Sequence, residues 1–401
     1  MPPGSAFNNY SAGPQNVANG DGPQSNMSGA GTQNNYFGRI VGLTPLQSTE
    51  TVRATSSRAR PSNREDFPIA LICALPLEYD AVVLQFDQFW DEDGEQYGRA
   101  PGDTNTYTTG RIGNYNVVLA LLPNMGKAAA AGTAASFRSS YPRLKLAFLV
   151  GICGGVPGTG VNEALLGDVL ISKTVLQSDF GRQFPTKFVI KDTVDDNLGR
   201  PNRDIRSLIA SFETRFGRNR LRKKAGEYLR DLQGAADREG DRDTYQYLGV
   251  AQDKLFAATY RHEHRAPQSC AMCQGEVDSY CNEASQASCA KLKCDEGQLV
   301  HREQQSRMLD GMYCPKILIG RMASGDTVMK SGEHRDQLAR QHNVLAFEME
   351  GAGAWDEVPC IIIKGICDYA DSHKNKKWQP FAAATAASVM KAVLGRYAVT
   401  G

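Results

Sequence analysis

Apolar residues in this chain fall into short blocks divided by glycine turns and by longer polar stretches. "FPIALICAL", starting at Phe67, is an apolar run of strand length, and a folded domain should begin there. "TYTTGRIGNYNVVLALL" reads as two strands turning at Gly113-Asn114. "GKAAAAGTAASFRSS" is alanine-rich and predicts a helix entered at Gly126. "LKLAFLVGICGGVPG" predicts a buried strand running into a glycine turn, and "GDVLISKTV" predicts the next strand. Residues 200–233 read as helical and arginine-rich, with a solvated face preferred over a nucleic-acid patch. The domain then resumes with "KILIGRMASGD", a helix over "GEHRDQLARQ", and a strand leading into "FEMEGAG". A strand "CIIIKGICD" and an alanine-rich helix from about Pro380 close it. Strands alternating with helices predict an α/β fold with a largely parallel sheet covered on both faces.

The N-terminal segment breaks this pattern. In nines it reads "PPGSAFNNY", "SAGPQNVAN", "GDGPQSNMS", "GAGTQNNYF", with Gly4, Gly13, Gly22 and Gly31 in register. Two readings stay open: a disordered low-complexity tail, or a cross-β motif in which Asn and Gln ladders stack. The expected organisation is repeats over 1–44, a solvated linker over 45–66, and a catalytic domain over 67–400 with an insertion at about 181–314. The 401 residues suffice for a large enzyme core. Lys and Arg number 45 against 44 acids, so neither nucleic acid nor membrane is expected as a partner. The first thirty residues show no basic start followed by an apolar block, so a cytoplasmic location is expected.

Candidate chemistry sits at strand ends, where ligands of α/β sheets bind. Glu78 follows the first strand, "GICGG" ends the buried one, Glu348 and Glu350 flank Met349, and Asp368 ends "IIIKGIC". Singly, each has an ordinary explanation: a first-turn acid, a tight turn, or an N-cap. Four such groups at equivalent strand ends are harder to read as capping.

"CALPLEYDAV", "NMGKAAAAG", "VGICGGV", "ASGDTVMKSG", "FEMEGAG" and "IKGICDYAD" resemble, in order, the blocks of the purine nucleoside phosphorylase and methylthioadenosine/adenosylhomocysteine nucleosidase superfamily. "CDYADSHKNKKWQPFAAATAA" is most similar to nucleosidase-type domains of fungal NLR-like proteins. The resemblance implies a three-layer fold with a central twisted mixed sheet and helices on both faces. It also implies hydrolysis of a purine N-glycosidic bond with release of adenine, in a defence or cell-death effector. In that picture Asp368 protonates the purine, Glu350 takes the ribose hydroxyls, Met349 packs on the sugar, and Glu78 activates water. The apolar run Ile361 to Ile363 is expected to desolvate Asp368. Gly154 and Gly155 admit the substrate closely, and Ser324 lies in the block lining the purine pocket. The chain departs from the small-molecule nucleosidases at Val328, where a stacking aromatic is common, and at Ile152. His373, Lys374, Lys376 and Lys377 are either a solvated loop or cations that reach nucleotide phosphates. A homo-oligomer is implied, and the N-terminal repeats resemble fungal amyloid signalling motifs that would pair with an NLR-like receptor. A phosphate-dependent phosphorylase and a non-catalytic binding module are the rival readings.

The insertion holds His262, His264, Cys270, Cys273, Cys281, Cys289 and Cys294. "CAMC" is one usual half of a zinc site, but the remaining spacing is irregular. Structural zinc, disulfides and free thiols all stay open. No cofactor is expected for catalysis.

Overall fold

A computed structural model of the chain describes residues 60–398, apart from 93, 95–96, 159–162, 266–269, 275–279 and 304–305. The nine-residue repeats and most of the linker lie outside the described residues.

The first apolar run forms β1 (Ile69–Cys73), buried at every position. Pro76 then opens α1 (Pro76–Val83), its fixed φ suiting a first helical turn. β2 (Gln88–Phe89) pairs with β3 (Tyr107–Ile112), which turns through Gly113 at φ +59° into β4 (Tyr115–Leu121). α2 (Lys127–Ser140) starts after Gly126, whose φ of +114° favours glycine. β5 (Leu146–Gly155) and β6 (Val169–Gln177) follow.

The insertion contains a hairpin of β7 (Gly181–Gln183) and β8 (Phe188–Ile190), then α3 (Arg203–Glu213) and α4 (Arg215–Arg238). Short helices α5 (Asn282–Gln286) and α6 (Cys289–Leu292) precede the hairpin of β9 (Met308–Leu309) and β10 (Met312–Tyr313). The sheet resumes with β11 (Ile317–Ser324), α7 (Gly332–His342), β12 (Val344–Glu348), α8 (Gly351–Glu357), β13 (Cys360–Asp368) and α9 (Gln379–Leu394).

Nine strands make one sheet in the order β12-β11-β6-β13-β5-β1-β4-β3-β2. The alternation of elements suggested a largely parallel sheet; the observed sheet is mixed, as the family resemblance implied. β13 runs antiparallel to β6, and β3 to both β2 and β4. β12 also pairs antiparallel with the end of β5, Ala346 opposite Gly155 and Phe347 opposite Gly154. This contact curls β5, β13, β6, β11 and β12 back on themselves. It also corrects one expectation: "GICGG" is not a turn but the last, bent part of a strand. Glycine is required there for close approach, since a Cβ on Gly155 would lie 2.7 Å from the Ile366 side chain.

The arginine-rich segment behaves as a solvated amphipathic helix. α4 buries Leu221, Ala225, Leu229 and Leu232, packs on α9, and leaves Arg215, Arg218 and Arg230 exposed. Among the described residues no helix is long and apolar enough to cross a membrane.

α9 lies directly on β13 at Gly365, where an added Cβ would sit 2.0 Å from the Ala382 carbonyl oxygen. Backbone cannot step aside as a flexible side chain can. Gly365→Ala is therefore expected to cost about 1–3 kcal/mol through overpacking. Urea unfolding should show a lowered midpoint with an unchanged slope, whereas a wild-type midpoint would contradict this packing.

Candidate active site

Strand β13 carries one charged residue in its apolar middle. Lys364 is 1% exposed, and an ammonium so buried needs partners close by. They come from β12 and the residues just after it. Lys364 Nζ donates to Glu350 Oε2 at 2.9 Å and lies 3.6 Å from Glu348 Oε2. Burial opposes the lysine's charge, but the carboxylates of Glu350, Glu78 and Glu348 outweigh it and hold the ammonium above its ordinary pKa.

The acids are held in turn by backbone donors. Glu348 accepts from the amides of Glu350 and Gly351 at 3.1 and 2.9 Å, closing the first turn of α8. Glu350 accepts from the amide of Gly126 at 3.3 Å. Glu78, at the start of α1, accepts from Ala74 and Leu75 through Oε2 at 2.9 and 3.0 Å. Its Oε1 accepts from Ile152 on β5 at 2.7 Å. Gly151 makes room for this carboxylate, because a Cβ there would stand 2.2 Å from Oε1. Burial raises the pKa of Glu78; Lys364 counters this and Glu350 adds to it. The pKa of Glu348 is raised for the same reasons in the same order. The capping readings of Glu78 and Glu348 are thus geometrically correct, yet both side chains also border a cavity.

That cavity has a volume of about 240 Å³. Glu78, Glu350 and Asp368 all line it, as do Met349, Gly154, Lys374 and Glu348. Asp368 ends β13, accepts from the Ala370 amide at 2.9 Å, and lies 3.2 Å from Lys374 Nζ. Ile361 to Ile363 sit at the far end of that strand, so the groups crowding Asp368 are instead Cys367 and Gly154.

Several expected site residues fall elsewhere. Ser324 is buried beneath α8, where its hydroxyl oxygen accepts from the Ala352 amide at 2.8 Å; it is not among the lining residues. Gly155 serves the β5–β12 contact and does not reach the cavity. His373 points into the insertion, stacked on Phe256 with ring centroids 4.2 Å apart. Burial, with His262 and Arg265 nearby, lowers its pKa to about 4, so it is a neutral packing group and no phosphate-binding cation. Lys376 and Lys377 are exposed and do not line the cavity. Asp326 is exposed and caps α2 by accepting from the Lys127 amide at 2.9 Å. Val328 and Ile152 do line the cavity, at the two positions where the chain departs from the family pattern.

Sequence reasoning passed over Lys364 and Phe347. The signal for Lys364 was a single lysine inside an otherwise apolar strand. Phe347, which lines the cavity ahead of Glu348, supplies the aromatic surface that Val328 does not.

Residues 68–229 match the family model of the phosphorylase superfamily. The match runs from the start of β1 into α4, and the mixed α/β sheet described above is similar in class to that superfamily's fold. A nucleotide-binding leucine-rich repeat (NLR)-like protein of Hyaloscypha variabilis is 30% identical over 346 residues, covering 84% of this chain and 30% of that protein. The chain therefore spans less than a third of that relative's length. Among solved structures, futalosine hydrolase of Helicobacter pylori strain 26695 is 16% identical, with TM-score 0.44, 82% of this chain and 98% of that chain covered. A 5'-methylthioadenosine/S-adenosylhomocysteine nucleosidase from S. pneumoniae is 16% identical, with TM-score 0.46, 81% and 97% covered.

Lys364→Met leaves three buried carboxyl groups without their shared cation. The expected cost is about 3–5 kcal/mol at neutral pH. Glu78 and Glu348 already have raised folded pKa values, so their effect favours the fold at low pH and weakens as pH rises through those values. Losing the lysine enlarges that trend. The stability gap between variant and wild type should narrow from pH 8 to pH 5 in urea titrations; a pH-independent gap would refute the charge argument.

Proposed function

We propose that the chain hydrolyses the N-glycosidic bond of a purine nucleoside or nucleotide and releases adenine. The observation that carries this reading is the convergence of Glu78, Glu350 and Asp368, from three separate strand ends, on one cavity. Breaking an N-glycosidic bond develops positive charge on the ribose and negative charge on the departing base. One ammonium, Lys364, stands among three carboxyl groups, and this excess of acid suits an oxocarbenium-like sugar.

The roles follow from position. Glu350 keeps lone pairs free of Lys364 and Gly126 and takes the ribose hydroxyls, with Met349 against the sugar face. Phe347 offers its ring to the base. Asp368 is the group that meets and protonates the purine nitrogen, with Lys374 Nζ beside it at 3.2 Å. Glu78 Oε1 holds one backbone donor, which leaves room for it to orient and deprotonate water. Among the described residues, Lys374 is the one basic side chain lining the cavity. A phosphorylase would bind inorganic phosphate with several cationic or amide donors, so this favours hydrolysis. Lys374 is engaged with Asp368, and contact with a substrate phosphate would require it to leave that acid.

The likeness to an NLR-like protein supports an effector role in defence, in which residues 1–44 recruit the chain to a receptor and cluster it as a homo-oligomer. Deleting residues 1–40 should then abolish clustering while leaving hydrolysis intact, as read by light scattering and adenine release.

Purified protein incubated with adenosine, AMP, ATP and methylthioadenosine in phosphate-free buffer should liberate adenine from at least one of them, followed by chromatography. Asp368→Asn should lower kcat by about 10²–10⁴-fold. Turnover only with added phosphate would indicate the phosphorylase, and binding without turnover would indicate the binding module.

The pH profile gives an independent check. Glu78 must be ionised to act as a base, and its pKa, raised by burial, moves the loss of kcat/KM on acidification upward from the ordinary glutamate value. An acid limb at the ordinary glutamate value would remove Glu78 from that role.

A further inference from the structure

The seven histidines and cysteines between residues 262 and 294 separate in space into two groups. His264 gathers with Cys270, Cys273 and Cys281; His262 gathers with Cys289 and Cys294. In the first group Nδ1 of His264 lies 3.5, 3.5 and 3.7 Å from the three sulfurs, and Cys270 Sγ lies 3.9 Å from Cys281 Sγ. A tetrahedral zinc, with Zn–S of about 2.3 Å and Zn–N of about 2.0–2.1 Å, puts sulfurs about 3.8 Å apart and sulfur about 3.6 Å from nitrogen. A disulfide needs sulfurs about 2.05 Å apart, so Cys270 and Cys281 are not bonded. In the second group Nδ1 of His262 lies 3.4 Å from Cys294 Sγ and 3.8 Å from Cys289 Sγ, the same range.

The surroundings fit thiolate and imidazole ligands. His262 Nε2 lies 2.9 Å from the Ala287 carbonyl oxygen, and donating its proton there leaves the Nδ1 lone pair facing the sulfurs. Backbone amides donate to sulfur, His264 to Cys273 at 3.3 Å and Ala284 to Cys281 at 3.5 Å.

We infer that the insertion binds two zinc ions, one in a closed Cys3His centre and one held by His262, Cys289 and Cys294 with a coordination position left for water. Each thiol gives up its proton as the metal binds, and no oxidation is involved. The second centre also clasps the loop that leads to Lys374. The amide of His262 donates to Ser372 Oγ at 3.1 Å, and the His262 ring packs edge-on against His373, 5.1 Å between centroids. The next residue, Lys374, reaches Asp368. An ion that fixes His262 therefore fixes the segment that presents Lys374.

Full-length protein purified without chelators should carry two zinc ions per chain by elemental mass spectrometry. It should release two equivalents to a chromogenic chelator once an organomercurial caps the thiols. X-ray absorption at the zinc edge of the unaltered protein should show mixed sulfur and imidazole scattering, so this arm needs no variant to fold. Cys270→Ser with Cys281→Ser should reduce the content to one ion, and Cys289→Ser with Cys294→Ser should do the same. Fewer than two ions, or disulfides among these cysteines in mass spectra of the unaltered protein, overturns the inference. Hydrogen exchange over residues 370–376 should quicken in the second double variant and not in the first; equal exchange in both overturns the clasp.

Discussion

The buried ammonium of Lys364 is the interaction on which the rest of the cavity depends. Three strand ends bring acids to one place, and an acid out of water without a partner would either take up a proton or hold the strands apart. A single cation in the middle of β13 offsets Glu348 and Glu350 directly and acts on Glu78 through space. Backbone amides supply what the lysine does not. The result is a site whose acids are held in place by the protein's own groups, which is the preorganisation that the proposed hydrolysis calls for.

Small residues make that convergence sterically feasible. Gly151 yields space to the Glu78 carboxylate, and Gly351 yields space to Glu348, whose Oε1 would stand 2.6 Å from an added Cβ. Gly154 does the same beside Asp368, at 2.9 Å. Three of the four cavity acids, Glu78, Glu348 and Asp368, are thus matched by a nearby glycine. The closure of β12 onto β5 depends on the same economy of volume, since Gly154 and Gly155 are the residues that face Phe347 and Ala346. Sheet closure and site assembly are one event: the pairing that bends the strand also brings the "GICGG" and "FEMEG" segments to the same cavity.

The insertion interrupts the domain between β6 and β11, yet its Cys/His cluster meets the loop after Asp368 at Ser372 and His373. His373 shows how the two regions join. It belongs to the loop after Asp368, but its ring is packed among Phe256, Tyr260 and His262 of the insertion. The loop is held from outside the cavity, which leaves Lys374 free to face inward.

Local pattern in the sequence was enough for the elements. Apolar runs, Gly126, the Gly113 turn and the alanine-rich stretches located β1, the β3–β4 hairpin, α2, β13 and α9, because period, turn chemistry and helix propensity act over a few residues. The candidate acids were legible too, because carboxylates beside glycines at strand ends are unusual in any apolar setting. What the chain order could not convey was which groups share a space. Lys364 is 286 residues from Glu78 in sequence, and their coupling exists only once β13 lies beside β5. Ser324 and His373 sit next to site residues in the chain and point away from the cavity, because the side to which a residue faces is settled by the packing of α8 and of the insertion. The division of seven metal-type ligands into two groups follows for the same reason: spacing sets which residues are available, and only the folded backbone sets which sulfurs stand within one ion's reach of which imidazole.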